Sequence, residues 1–226
     1  MIRIASFFAL LSLSSVLYAQ KVGNRLVYGS NTAIGEGRWR IHFDAQYRDH
    51  QLLGDLDQLI IRPGIQYLHL PSRSSYTIGY AYFVFQDMGE PNNTIFENRI
   101  WQDIDLRQAV SRVQIRHRYR FEERFIENRP FSFRMRYSLM LDIPLNKPTI
   151  EANTWYLSFF NEVFINHRVS SFDPVFDRDW LFGGFGYRLN EKMALQFGYM
   201  NQFTERGSKP QFILSFNHNL HIGKTE

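Results

Sequence analysis

The sequence contains no cysteine, so neither a disulfide framework nor a thiolate metal site is available to it. It carries little net charge, +4 with histidine neutral, which gives no reason to expect nucleic acid as a partner. Beyond the N-terminal segment no apolar run approaches the roughly 20 residues that a membrane-spanning helix requires. No linker or internal repeat divides the chain, and a mature length of about 200 residues is ordinary for one domain. The 7 histidines show no metal-binding spacing, and no cofactor is expected.

The one long apolar run lies at the start. Met1-Ile2-Arg3 is short and basic, residues 4–17 are apolar apart from small residues and serine, and Leu17-Tyr18-Ala19 places a small residue before Gln20. This is the layout of a secretory signal peptide, although Leu17 is bulkier than usual three residues before the cut. Residues 1–19 are therefore expected to be removed, leaving 20–226 as the mature domain.

What the chain does have is aromatic residues, 16 % of the total with 21 phenylalanines, beside 21 % charged residues. The two kinds sort by alternation. In 113–125, Val113, Ile115, His117, Tyr119, Phe121 and Phe125 share one face, broken only by Glu123. Gln114, Arg116, Arg118, Arg120, Glu122 and Arg124 share the other. Side chains alternate across a strand, whereas a helix would spread those arginines all round its surface. The same period-two pattern sets Trp39, Ile41, Phe43 and Tyr47 against Arg40, His42, Asp44 and Arg48. It sets Phe133, Tyr137 and Leu141 against Arg134 and Arg136, and it recurs around Tyr80, around Trp155 and Phe159, and on to Leu220. Residues 99–107 fit less cleanly, with Trp101 among Arg99, Asp103, Asp105 and Arg107.

Alternation alone does not say which face is inside, since a soluble lipocalin-like barrel would show the same pattern. Three features favour a membrane barrel. The apolar segments run about 9–13 residues, enough for a tilted strand to cross a bilayer and longer than the usual soluble strand of about 5–6. Aromatics crowd the apolar face, as in the girdles of outer-membrane barrels. The polar face is arginine interleaved with carboxylate, a set of side chains able to satisfy one another in a narrow interior. The expected fold is all-β, a single antiparallel transmembrane β-barrel of about ten strands, because a partial strand at 25–33 would make eleven and bacterial single-chain barrels have even numbers; twelve is the alternative if one segment merges two strands. Residues 25–33 then form a partial strand that tucks in or pairs at the seam. Short turns are expected near 35–37, 71–74, 109–111 and 190–192, and long links at 49–57, 86–96, 167–176 and 204–210. The links at 127–130 and 142–153 break that rule.

A series of motifs runs the length of the mature chain. Glu97-Asn98-Arg99-Ile100-Trp101-Gln102 precedes Arg116-x-Arg118-x-Arg120-x-Glu122-x-Arg124. Then come Arg134-x-Arg136-Tyr137, Asn161-Glu162-Val163-Phe164, and Arg178 ahead of Gly184-Phe185-Gly186-Tyr187. This order resembles domain-of-unknown-function family 2490, uncharacterised proteins of Gram-negative bacteria regarded as outer-membrane barrels. The resemblance implies that location and fold and implies no activity. One departure is the polar end, Gly223-Lys224-Thr225-Glu226, where such barrels commonly finish on an aromatic residue.

The polar face carries Arg62, Arg99, Arg107, Arg116, Arg118, Arg120, Arg124, Arg134, Arg136 and Arg178. Asp44, Glu97, Asp103, Asp105, Glu122 and Glu162 are its candidate partners. Three readings follow. A mutually paired network would plug the barrel, since buried charge is tolerated only when hydrogen-bonded. The arginine surplus would instead suit a small anion-selective, porin-like pore or a binder of anionic ligands, because guanidinium meets carboxylate and phosphate in a bidentate fork. A hydrolase has the weakest support. His42 beside Asp44, and His167 before Ser170, Ser171, Asp173 and Asp177, lack a diagnostic spacing, and loop Ser and Asp are common turn residues. The expected partners are outer-membrane lipid and, on the second reading, small anions.

Overall fold

The computed structural model describes residues 22–52, 54–167 and 174–223. The expected signal peptide and the loop residues Ser170, Ser171 and Asp173 lie outside them. Eleven strands close into a barrel: β1 (Gly23–Ile34), β2 (Trp39–Asp49), β3 (Leu56–His69), β4 (Ser74–Gln86), β5 (Thr94–Val110), β6 (Val113–Ile126), β7 (Ser132–Pro144), β8 (Thr154–His167), β9 (Phe176–Arg188), β10 (Met193–Thr204) and β11 (Gly207–His218). A short β12 (His221–Ile222) prolongs β11 along the end of β1. Among the described residues, no helix is long and apolar enough to cross a membrane.

Chain neighbours pair antiparallel throughout, and β1 closes the ring against β11 in parallel, from Gly23↔Gln211 to Gly29↔Asn217. Odd count and parallel seam are one fact: in an up-and-down barrel the first and last strands run the same way only when their number is odd. This corrects the expected ten strands and the alternative of twelve. The segment read as partial is a full strand, β1, bonded on both edges. Its alternation is faint because its outward positions include Ser30 and Thr32, opposite the larger Phe43 and Ile41 of β2. Ladders on two sides hold it where side-chain pattern does not.

Besides Pro144 at the end of β7, proline is absorbed within the strands at two places. Pro63 pairs with Phe43 of β2, but towards β4 the ladder skips Arg62 and Pro63 and resumes in the same register, Ile61↔Tyr82 and then Gly64↔Gly79. Proline has no N–H to give there. Pro210 lies inside β11, one residue before the β1 ladder begins at Gln211. The long link expected at 204–210 is therefore a two-residue turn, 205–206, closed by Gly207 at φ 140°.

We call the end where β1 begins the first rim and the end where β1 finishes the second. Links of two residues occur at both (205–206 and 111–112), and the longest link at the second rim is 145–153. Link length thus does not distinguish the rims.

The apolar face points outward. Trp39 (52 % exposed), Tyr80, Tyr119, Tyr137, Trp155 (53 %) and Phe159 are all exposed on the barrel exterior, whereas Arg120, Glu122 and Ser138 are buried inside. The interior is not wholly ionic. Phe164, Trp180, Phe182, Met200 and Ile213 form one buried apolar cluster, and Ile60, Ala81, Phe83 and Trp101 form another. Gly64 and Gly79 make room for the indole: a Cβ on Gly79 would lie 2.6 Å from the ring of Trp101, and one on Gly64 3.0 Å.

Candidate functional site

Three interior ion pairs join residues directly opposed on adjacent strands, the arrangement in which cross-strand side chains meet most closely. Arg62 of β3 donates to Asp44 of β2 through Nη2 at 2.6 Å. Arg120 of β6 holds Asp103 of β5 in a two-pronged contact, Nε to Oδ1 and Nη2 to Oδ2, both 2.6 Å. Arg134 of β7 donates through Nε and Nη2 to Oε2 of Glu122 on β6, at 2.8 and 2.5 Å.

The last pair is the centre of a larger web. Glu122 also accepts from Arg136 Nη1 at 2.8 Å and from Arg99 Nη1 at 3.4 Å. Arg136 continues to Glu162, which accepts from Arg118 Nη2 at 2.9 Å. Arg99 continues to Glu97, which also accepts from Arg124 Nε at 2.6 Å. Arg134 reaches Asp177 at 2.9 Å, and Asp177 in turn holds its neighbour Arg178. One connected network therefore contains Arg99, Arg118, Arg124, Arg134, Arg136 and Arg178 with Glu97, Glu122, Glu162 and Asp177.

Of the residues predicted from sequence, Arg62 stands apart in its own pair with Asp44, and Arg120 with Asp103. Arg116 lies outside the web. Its side chain is 42 % exposed, it is 3.9 Å from Asp105, and it donates to the sulfur of Met140. Arg107 has an exposed position near the second rim. Asp177 joins through a β-bulge: the register shifts between Phe164 and Ile165, leaving Asp177 as the extra residue beside Arg178. A bulge re-aims a side chain, and period-two reading does not see it.

Arginines inside the barrel also lie on aromatic faces. The guanidinium carbon of Arg99 is 3.6 Å from the ring centre of Phe83, that of Arg120 4.5 Å from Trp101, and that of Arg136 4.3 Å from Phe164. Such contacts stabilise a cation that has left water. They explain why aromatics occupy inward positions.

Next to the web lies a cavity of about 720 Å³, reaching the second rim at the exposed Arg73 and Arg107. Its described wall carries ten arginines against three carboxylates, Asp44, Asp142 and Glu162. Arg48, Arg62, Arg136 and Trp180 line both this cavity and a void of about 50 Å³ on the network side, so these four side chains separate the two. Arg25, Arg40 and Arg188 on this wall are absent from the sequence-based list, and so is Arg48. Arg40 and Arg48 were legible on the polar face of β2, while Arg25 lay in the strand read as partial.

Among the described residues the candidate catalytic groups do not assemble. His42 bonds to Oδ1 of Asn31 at 2.9 Å and sets its ring edge-on against Trp101 at 5.5 Å. His117 is on the outer face, bonded to the Tyr137 hydroxyl at 2.8 Å. His167 ends β8, beside a loop outside the described residues.

The sequence profile of the family described as "Protein of unknown function (DUF2490)" matches residues 26–212, from within β1 to within β11. The chain belongs to this family. The match takes in every strand that contributes to the ionic web. No curated protein and no solved structure matches the chain.

Proposed function

We propose that the chain is an integral outer-membrane β-barrel of a Gram-negative bacterium, exported behind residues 1–19, whose arginine-rich lumen is closed by its own ion pairs. The observation that carries this reading is the inversion of polarity. Large apolar side chains such as Ile78 (58 % exposed), Leu181 (55 %) and Phe185 (60 %) lie on the exterior, while Glu97, Arg120, Glu122 and Arg134 are buried. A water-soluble barrel would gain by reversing both faces, because contiguous exposed apolar surface is costly in water and buried charge is costly anywhere. In a bilayer the same exterior is in its preferred solvent.

Exterior aromatics also gather towards the strand ends. Trp39 with Tyr67 (ring centres 5.1 Å apart) and Trp155 with Tyr187 (4.6 Å) lie near the second rim, and Phe125 with Phe131 (5.3 Å) near the first. Interfacial belts have this placement. The closed lumen is supported by the partition of Arg48, Arg62, Arg136 and Trp180, beyond which lies a void of about 50 Å³.

A second reading, a small anion-selective pore, is favoured by the cation excess of the cavity wall. Planar bilayers separate the two. The purified protein is expected to insert without steady conductance. A steady anion-selective current that weakens on Arg120→Glu would overturn closure. Recovery of the chain in carbonate-soluble rather than membrane fractions would overturn the location.

A further inference from the structure

Two arginines at the deep end of the cavity have no carboxylate within 4 Å among the described residues. Arg25 of β1 and Arg48 of β2 stand directly opposite each other in the ladder, and both are about 95 % buried, at 4 % and 5 % exposure. Arg25 donates through Nη2 to Oε1 of Gln211 at 2.7 Å, and its Nε is buried without a partner among the described residues. Arg48 donates through Nη2 to Gln46 at 2.6 Å and through Nη1 to Gln58 at 2.8 Å. These partners are neutral amides. Every arginine of the web is within 4 Å of a carboxylate; these two are paired with none among the described residues.

Both guanidiniums lie over the same indole, that of Trp180, at 4.5 and 5.3 Å from its centre. Trp180 is held by its own hydrogen bond to Gln202 at 2.9 Å. Stacking supplies part of what the lost water supplied, but it leaves two like charges side by side. Val27, Phe160 and Ile213, packed with Trp180, line the same cavity and put apolar surface next to the charges. The combination is a cationic pair, a flat aromatic floor and an apolar flank, inside a volume of small-molecule size.

We propose that this deep end is a binding site for a small organic acid, its carboxylate facing Arg25 and Arg48 and its apolar body against Trp180, Val27 and Ile213. The carboxylate provides the negative charge that the pair lacks and accepts charge-assisted hydrogen bonds from the guanidiniums. The apolar flank separates such a ligand from an inorganic anion. The site rests on the closed-barrel reading, which makes the cavity a blind pocket rather than a passage; conductance would overturn that closure, whereas the titrations below bear on the site alone.

The test is calorimetric titration of the full chain, folded in detergent, with benzoate, with the uncharged benzamide and with inorganic phosphate. Benzoate is expected to bind, with benzamide and phosphate each about tenfold weaker or more, as loss of a charged hydrogen-bond pair or of apolar contact implies. Benzoate should change the tryptophan fluorescence, and Trp180→Phe should remove that change. Arg25→Gln with Arg48→Gln should lose benzoate about tenfold or more, Arg48→Lys should lose less, and Arg129→Gln, at an exposed arginine of the β6–β7 link away from the cavity wall, should bind as the parent does. The comparison of benzoate with benzamide needs no variant, so it stands even if the double substitution fails to fold. Equal binding of benzoate and benzamide, or of benzoate and phosphate, would overturn the proposal, as would undiminished binding by a folded double variant.

Discussion

At the scale of single residues, Glu122 is the most consequential side chain in the interior. Three guanidiniums share its carboxylate, from Arg99, Arg134 and Arg136, and it is 1 % exposed. Replacing it by glutamine keeps the shape and removes the charge that all three share, leaving each with one other carboxylate: Glu97 for Arg99, Asp177 for Arg134 and Glu162 for Arg136. Breaking a buried pair from one side costs about 3–5 kcal/mol, because the remaining charge stays buried and unpaired. Because each arginine keeps a second carboxylate, Glu122→Gln is expected to destabilise the barrel by about 3 kcal/mol, the lower end of that range, in urea titrations followed by tryptophan fluorescence. Arg116, half-exposed and 3.9 Å from Asp105, is a different case. Arg116→Gln should change stability by no more than about 1 kcal/mol, as exposed ion pairs do. Equal losses in the two variants would mean that the web does not act as a unit. The sequence made both arginine and carboxylate positions visible, because alternation puts them on one face. It did not separate Arg116 from the web, since exposure depends on where along the barrel a position falls.

At the scale of elements, the seam is where pattern reading gave out. β2 to β11 each show outward apolar positions, whereas β1 mixes small and polar residues on both faces and owes its place to its neighbours. A parallel seam makes a sharp covalent prediction, helped by the absence of native cysteine. Leu26 and Leu214 are register partners on the exterior, so Leu26→Cys with Leu214→Cys is expected to form a disulfide under mild oxidation. Leu26→Cys with Phe216→Cys, offset by two residues along β11, should not, because bridged cysteines need Cα atoms within about 7 Å. Non-reducing electrophoresis reads both. Cross-linking in the offset pair alone would exclude this register, and cross-linking in neither pair would argue against the β1–β11 seam that closes the eleven-strand ring. The seam has a second tie at the first rim, where Lys209 of β11 reaches Asp57 of β3 at 2.5 Å, spanning β1 and β2.

At the scale of the whole molecule, the question is which solvent the exterior meets. Leu181 is 55 % exposed near the middle of β9. An arginine there costs about 2–4 kcal/mol if the position faces the bilayer midplane. Exposed to water, it would change stability by less than about 0.5 kcal/mol. Leu181→Arg is expected to show the larger loss when folding is titrated in lipid vesicles. A change within the smaller range would argue that this face is not embedded in lipid.

The sequence by itself determined the strands and the two-faced character of nearly all of them, because a period of two is a local property written residue by residue. It also put Arg62, Arg99, Asp103, Arg120, Glu122, Arg134, Arg136 and Glu162 on a common face. What only the tertiary structure decided is everything that depends on how strands meet. The ring closes at eleven because β1 finds β11 as well as β2, a pairing that no local signal encodes. Asp177 enters the web through a bulge, Trp101 fits because Gly64 and Gly79 leave space on neighbouring strands, and Arg25 and Arg48 reach Trp180 of β9 only once the ring has formed. Which charges are paired and which remain without a carboxylate is a matter of distances between strands, and those exist only in the folded chain.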